Sequence, residues 1–149
     1  MSRWLLVGLA ATLAGCSHLV VLHDPLTAAE HNDLGVAYES AGDAETAERE
    51  YRRALEREPR FARAWANLGN VHAARRRWGL AQRCYRRALL LAPADPDARN
   101  NLAVALLRMG RRLDEAEWLA RSAVALAGAR DSIPRATLAE VRSTARRRR

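Results

Sequence analysis

A chain of 149 residues with 25 basic and 17 acidic side chains carries a formal net charge of +8, and with 49% apolar and 28% charged residues it has the balance of an ordinary globular protein. Every basic residue is arginine. Aromatic residues make up only 5% of the chain, too few to leave spare rings for base stacking, so the positive charge is not read as a nucleic-acid signal.

The chain opens with a short basic start, Met1-Ser2-Arg3, an apolar run from Trp4 to Ala14, and the close Leu13-Ala14-Gly15-Cys16. A bilayer span takes about 20 residues. This run is shorter and reads as the hydrophobic region of a secretory signal, which again argues against nucleic acid. The tetrad resembles the lipobox of bacterial lipoproteins. That resemblance implies cleavage before Cys16, diacylation of its thiol and acylation of the new terminus, and two or three acyl chains anchor stably where one does not. It divides the start into a signal peptide, residues 1–15, and a lipidated terminus with tether, residues 16–27. Ser17, not being aspartate, resembles an outer-membrane address, so the expected place is the outer membrane facing the periplasm rather than the inner membrane. A chance cysteine behind an ordinary signal is the alternative.

From residue 28 onward the chain repeats itself. Leu34-Gly35, Ala47, Tyr51, Ala54 and Pro59 return 34 residues later as Leu68-Gly69, Ala81, Tyr85, Ala88 and Pro93, and a third copy starts in register with Leu102-Ala103 before drifting by one residue to Ala116 and Ala123. Such a period means a solenoid of helix pairs. Alanine and tyrosine at spacings of four and three share one face of a second helix, and the prolines end each pair. Asp24-Pro25 and Asp95-Pro96 each offer an N-cap with proline in the first turn, while Thr27 to Glu30 also fits a capping box, leaving two starts for the first helix. Gly42-Asp43 and Met109-Gly110 mark the turns inside copies one and three. The third copy has one extra residue after Gly110 and Ala120 where Tyr51 and Tyr85 stand. Looser packing is expected there, with Trp118 as a substitute filler. Ile133 to Val141 reads as the first helix of a fourth copy that lacks its second and serves as a solvating cap.

The register resembles that of a tetratricopeptide repeat (TPR). Counting Ala28 as the first residue, the fourth position is His31, Trp65 and Arg99, only the middle one being the expected tryptophan; the eleventh is Tyr38, His72 and Leu106. The resemblance implies an all-α solenoid of about three TPR repeats, residues 28–61, 62–95 and 96–131, followed by a capping helix and basic tail, residues 132–149. It also implies a concave groove lined by the first helices of each pair. The groove positions are Asn32, Asp33, Arg63, Asn67, Asn70, Asn100 and Asn101, with Asp97 at the second position of copy three. Each amide both donates and accepts, which suits a peptide backbone; the same amides also suit bonds between neighbouring repeats. The lysine and arginine with which chaperone-binding members clamp a C-terminal carboxylate are absent, Asn32 and Asn101 taking two of their places.

No catalytic or metal constellation is visible. His18, His23, His31 and His72 show no paired ligand spacing, and Ser17, Ser40, Ser122, Ser132 and Ser143 lack nucleophile-elbow glycines. No cofactor is expected. With Cys16 lipidated, Cys84 has no disulfide partner and is either partly buried filler or a surface thiol. Arg75 to Arg77, Arg86-Arg87 and Arg111-Arg112 read as solvated surface, and Arg146 to Arg149 as a tail able to meet anionic lipid, lipopolysaccharide or an acidic partner. The expectation is a non-enzymatic, membrane-anchored periplasmic adaptor, monomeric, that holds a protein partner. The alternative is a structural envelope lipoprotein that associates with itself through its repeat ends.

Overall fold

The computed structural model describes residues 24–127 and 131–148; the expected signal peptide, Cys16, most of the expected tether and Arg149 lie outside them. Seven helices follow one another: α1 (Ala28–Ser40), α2 (Ala44–Arg57), α3 (Ala62–Ala74), α4 (Trp78–Leu91), α5 (Pro96–Met109), α6 (Leu113–Ala127) and α7 (Ser132–Arg147). No strand occurs among the described residues. Three antiparallel pairs stack in chain order, each second helix lying against the first helix of the next pair, and α7 closes the far end on α6 and α5.

Helix ends follow the local chemistry. Of the two candidate starts for α1 the capping box wins: Thr27 Oγ1 accepts from Glu30 N at 3.2 Å, and Glu30 Oε2 accepts from Thr27 N at 2.7 Å. Asp24 is not the cap; its Oδ1 accepts from Leu26 N at 3.1 Å. Asp43 and Asp95 cap α2 and α5 as read, with Pro96 in the first turn of α5. The turns inside the pairs fall at residues 42, 76 and 110, and all three take positive φ: 82° for Gly42, 56° for Arg76 and 63° for Gly110. Glycine reaches that region freely, whereas an L side chain there costs about 1–2 kcal/mol. The extra residue of copy three sits in its turn, where Arg112 takes φ 51° before α6 begins. Replacing Arg76 by glycine is expected to stabilise the fold by about 0.5–1 kcal/mol, read as a raised thermal midpoint.

Each of the first two pairs closes on one contact. A Cβ built on Gly35 would stand 2.5 Å from Tyr51 Cε1, and one on Gly69 would stand 2.6 Å from Tyr85 Cε1. Both tyrosines are buried, at 0% and 2% exposure. Copy three makes the same joint from Ala103 and Ala120, both fully buried beside Ala116, Leu106 and Leu119. Two small residues allow closure there without a ring between them. Trp118 is no filler, being 61% exposed on the outer face under the Arg99 guanidinium, 5.6 Å from the ring centre. Gly69→Ala is expected to cost about 1–3 kcal/mol, and adding Tyr85→Ala should make the double variant less unstable than the two separate losses predict, as measured by chemical denaturation.

Other fillers are settled by burial. Cys84 lies in the core of the first two copies at 6% exposure, and burial pushes its thiol up to about 11, so it packs rather than reacts. In α7 the residues Pro134, Thr137 and Val141 turn inward with Leu138 half-buried, while Ala139 is exposed. Ion pairs fasten this cap, Arg108 to Glu140 and Arg142 to Glu117, both at 2.9 Å. Arg148 of the tail donates to Gly110 O at 2.7 Å, so one tail arginine is turned back onto the repeat.

Candidate functional site

The first helices of copies two and three, α3 and α5, leave a cleft of ≈ 420 Å³ between their inner faces, lined by Arg63, Asn67, Asn70, Asp97 and Asn101. A recess of ≈ 190 Å³ continues it past Tyr85 to Val104. Four of the seven groove residues expected from sequence meet here. The other three do not. Asn32 and Asn100 are buried, at 1% and 5% exposure, although Ala66, the fifth position of copy two, lines the cleft. Asp33 is exposed at the first end of the stack, beside Leu26, Glu30 and Leu34.

The cleft amides are bonded on one side and open on the other. Asn67 Nδ2 donates to Asn32 Oδ1 at 3.0 Å, and Asn101 Nδ2 donates to Asn70 Oδ1 at 3.1 Å. The Asn70 oxygen also accepts from the Tyr85 hydroxyl at 2.9 Å, so one bond chain runs from the core of copy two into copy three. These asparagines are inter-repeat struts. They leave Asn67 Oδ1, Asn70 Nδ2 and Asn101 Oδ1 without a partner among the described residues, giving acceptor, donor and acceptor around one cleft. Arg63 and Asp97 line the same cleft, both exposed and without an internal hydrogen bond or ion pair among the described residues. The cleft thus holds one cation, two acids, the helix cap Asp95 and the unbonded Asp97, and three open amide atoms, and lacks a carboxylate clamp.

The fourth position does the same job in copies two and three through two residue types. Trp65 Nε1 donates to Pro59 O at 3.0 Å, and Arg99 Nε donates to Pro93 O at 3.1 Å, each tying the helix to the proline turn six residues before it. In copy one His31 takes the place. It is fully buried, with Nε2 3.0 Å from Asp24 Oδ2 and Nδ1 2.7 Å from Glu50 Oε2. Sequence comparison by residue type misses the equivalence of Trp65 and Arg99, since tryptophan and arginine share only an N–H aimed back along the chain. The two carboxylates approach opposite ring nitrogens and so do not converge, and among the described residues no three of His, Cys, Asp and Glu form a metal-holding group.

The basic runs are partly neutralised across copies. Arg75 and Arg77 lie 2.9 and 3.6 Å from Glu48, which also pairs with Arg52 at 2.8 Å, and Arg86 reaches Glu115 at 2.8 Å. Behind Glu48, His72 is buried at 2% exposure with Nδ1 unpartnered among the described residues. Burial pulls it below the usual imidazole range; Glu48 opposes the shift, and Arg52, Arg77 and Arg75 reinforce it. Above about pH 6.5 both folded and unfolded chains hold this histidine neutral; below that, the unfolded chain takes up the proton first and stability falls. His72→Leu, the residue type that copy three carries as Leu106, is expected to raise stability by about 1 kcal/mol near neutrality and by more in mild acid, as followed by melts across that range.

With this geometry the comparisons fall into place. Residues 32–144 match the family model described as the cilia and flagella-associated protein 70 middle TPR-like domain. Among solved structures, the first TPR of Spaghetti (RPAP3), bound to the HSP90 peptide SRMEEVD, superposes with a TM-score of 0.73 at 16% identity, covering 78% of this chain and 90% of its own. The second TPR domain of human RPAP3, in complex with the HSP70 peptide SGPTIEEVD, gives 0.71 at 20% identity, covering 77% and 94%. At these identities the likeness is one of fold. No curated protein matches the sequence. Among the described residues no helix is long and apolar enough to cross a membrane.

Proposed function

We propose that this chain, which belongs to the family of the cilia and flagella-associated protein 70 middle TPR-like domain, is a non-enzymatic adaptor that holds an extended segment of a protein partner in the cleft between α3 and α5. The observation that carries this reading is the set of open groups in that cleft: Asn67 Oδ1, Asn70 Nδ2 and Asn101 Oδ1 flanked by Arg63 and Asp97. An extended backbone offers donors and acceptors in alternation, which suits such an arrangement. Two solved domains of this fold hold peptides. Both of those peptides end in acidic residues, whereas this cleft offers Arg63 and Asp97 together, which favours a segment of mixed charge.

The second part of the proposal concerns place. The stretch from Leu13 to Cys16 supports lipidation of Cys16 and attachment to the outer membrane on its periplasmic side, with the repeats presented to an envelope partner. Cys16→Ser should move the protein from the detergent phase to the soluble fraction and remove the mass of the acyl chains. A wild-type chain that retains Met1 or stays soluble would sink the anchoring part alone.

The cleft is tested where binding and folding separate. Asn67 and Asn70 are struts, so their loss disturbs the stack as well as any ligand. Arg63 and Asp97 are exposed and unbonded, so Arg63→Ala with Asp97→Ala is expected to leave the melt within about 0.5 kcal/mol of wild type. The same pair should weaken partner capture by about tenfold or more. Capture is read with a photo-crosslinking residue at Ala66 in the cleft against one at Leu90 on the outer face, in solubilised membranes. Equal capture from both sites, or capture unaffected by the double substitution, would reject the cleft as the binding surface.

A further inference from the structure

The cleft between α3 and α5 does not end at its asparagines. It passes by Asn70 and Asn101 into the recess beside Tyr85, and the recess passes at Ala73 into a larger cavity of ≈ 570 Å³ lined by Ala73, Ala74, Arg76, Trp78 and Arg108. One trough therefore follows α3 from its first residues to the turn that leads into α4. Its length is that of the helix, 13 residues, or about 20 Å at about 1.5 Å per residue. An extended segment of about six residues spans it.

The two ends of the trough differ in charge. Where α3 and α5 begin, Asp95 and Asp97 stand against Arg63. At the turn, Arg76 and Arg108 face the cavity and no acid among the described residues lines it, although Arg108 shares its charge with Glu140 at 2.9 Å. Neither arginine is among the groove residues that the repeat register implies. Trp78, half-buried against the core that Tyr85 and Leu106 belong to, gives the cavity an apolar wall beside the two guanidinium groups.

Arg76 differs from its neighbours. Arg75 and Arg77 both reach Glu48, whereas the Arg76 guanidinium is exposed and has no partner among the described residues. It also takes φ 56°, at the place that copies one and three give to Gly42 and Gly110. An arginine there costs stability where a glycine would not, and no contact among the described residues offsets the cost. Strain kept at the wall of a cavity points to a ligand.

We propose that this cavity is an acid-binding subsite, which takes a carboxylate side chain of the extended partner segment and fixes which end of that segment lies at the turn. The inference rests on the cleft reading above and adds the chemistry of one end: an aspartate or glutamate about five residues from the position that meets Arg63 and Asp97. A guanidinium pairs with a carboxylate through two parallel N–H bonds, so an exposed arginine without an internal partner suits that group. A protein segment is favoured over a lipid phosphate because the cavity opens into the amide-lined cleft, whose groups suit a backbone.

The test uses the full chain in detergent and a fluorescein-labelled library of octapeptides in which one position at a time is fixed. In wild type, fixing aspartate or glutamate near one end is expected to tighten binding by about tenfold over the unfixed mixture. That gain should vanish in Arg76→Gly, a variant expected to melt higher than wild type, so that lost binding is not lost folding. Arg63→Ala should weaken the mixture and keep the gain. A gain that persists in Arg76→Gly combined with Arg108→Gln, or a bound mixture that shows no preference for acid, overturns the subsite and leaves the cleft standing. A mixture that does not bind, or that binds equally to Arg63→Ala with Asp97→Ala, rejects the cleft and the subsite together. Binding of phosphatidylglycerol vesicles that depends on Arg76, with no acid preference among the peptides, would overturn the subsite in favour of lipid phosphate.

Discussion

The contact of a glycine with a tyrosine ring sets the distance between helices in the first two pairs, and the rest of the stack depends on that distance. With the ring of Tyr51 or Tyr85 where a glycine Cβ would be, the helices of a pair come close enough to bury Ala47, Ala54, Ala81 and Ala88 almost completely. Close-packed interiors tolerate little change in volume, so the joint is either ring with glycine or, as in copy three, alanine with alanine. The hydroxyls then carry the joint outward. Tyr51 donates to Glu39 at 2.8 Å, and Tyr85 donates to Asn70, which places an amide at the cleft wall.

The fold was legible in the sequence because its signals are local or periodic. Glycine opposite tyrosine, proline after each pair, and aspartate or glycine at the turns all act within a few residues or recur after 34, so they survive without tertiary information. Trp118 was misread because its large ring matched a gap that two alanines do not leave. Asn32 and Asn100 were misplaced for a related reason. A position number fixes which helix a side chain leaves, but whether the fifth position meets solvent or interior depends on how the neighbouring pair leans against it. The shared role of Trp65 and Arg99 was invisible because it is defined by a hydrogen-bond donor and its direction, not by size or polarity.

The candidate site was half legible for a further reason. Arg63, Asn67, Asn70 and Asn101 sit where the helical register puts them, but their use is divided between holding the repeats and facing the cleft, and that division appears only once bond partners are known. Asn67 and Asn101 each spend the amide nitrogen on the preceding copy and keep the oxygen. Asn70 does the reverse. In a quasi-one-dimensional stack, where each pair touches little beyond its neighbours, groups that join two copies are also the groups nearest the surface between them.

The two donors that converge on the Asn70 oxygen tie that amide to its neighbours. Turning the amide over would set its NH2 against that of Asn101, so the Asn101 amide would have to turn with it while the Tyr85 hydroxyl changed from donor to acceptor. The open atoms of Asn70 and Asn101 therefore exchange donor for acceptor together rather than independently, so the wall has two self-consistent patterns and no mixed one.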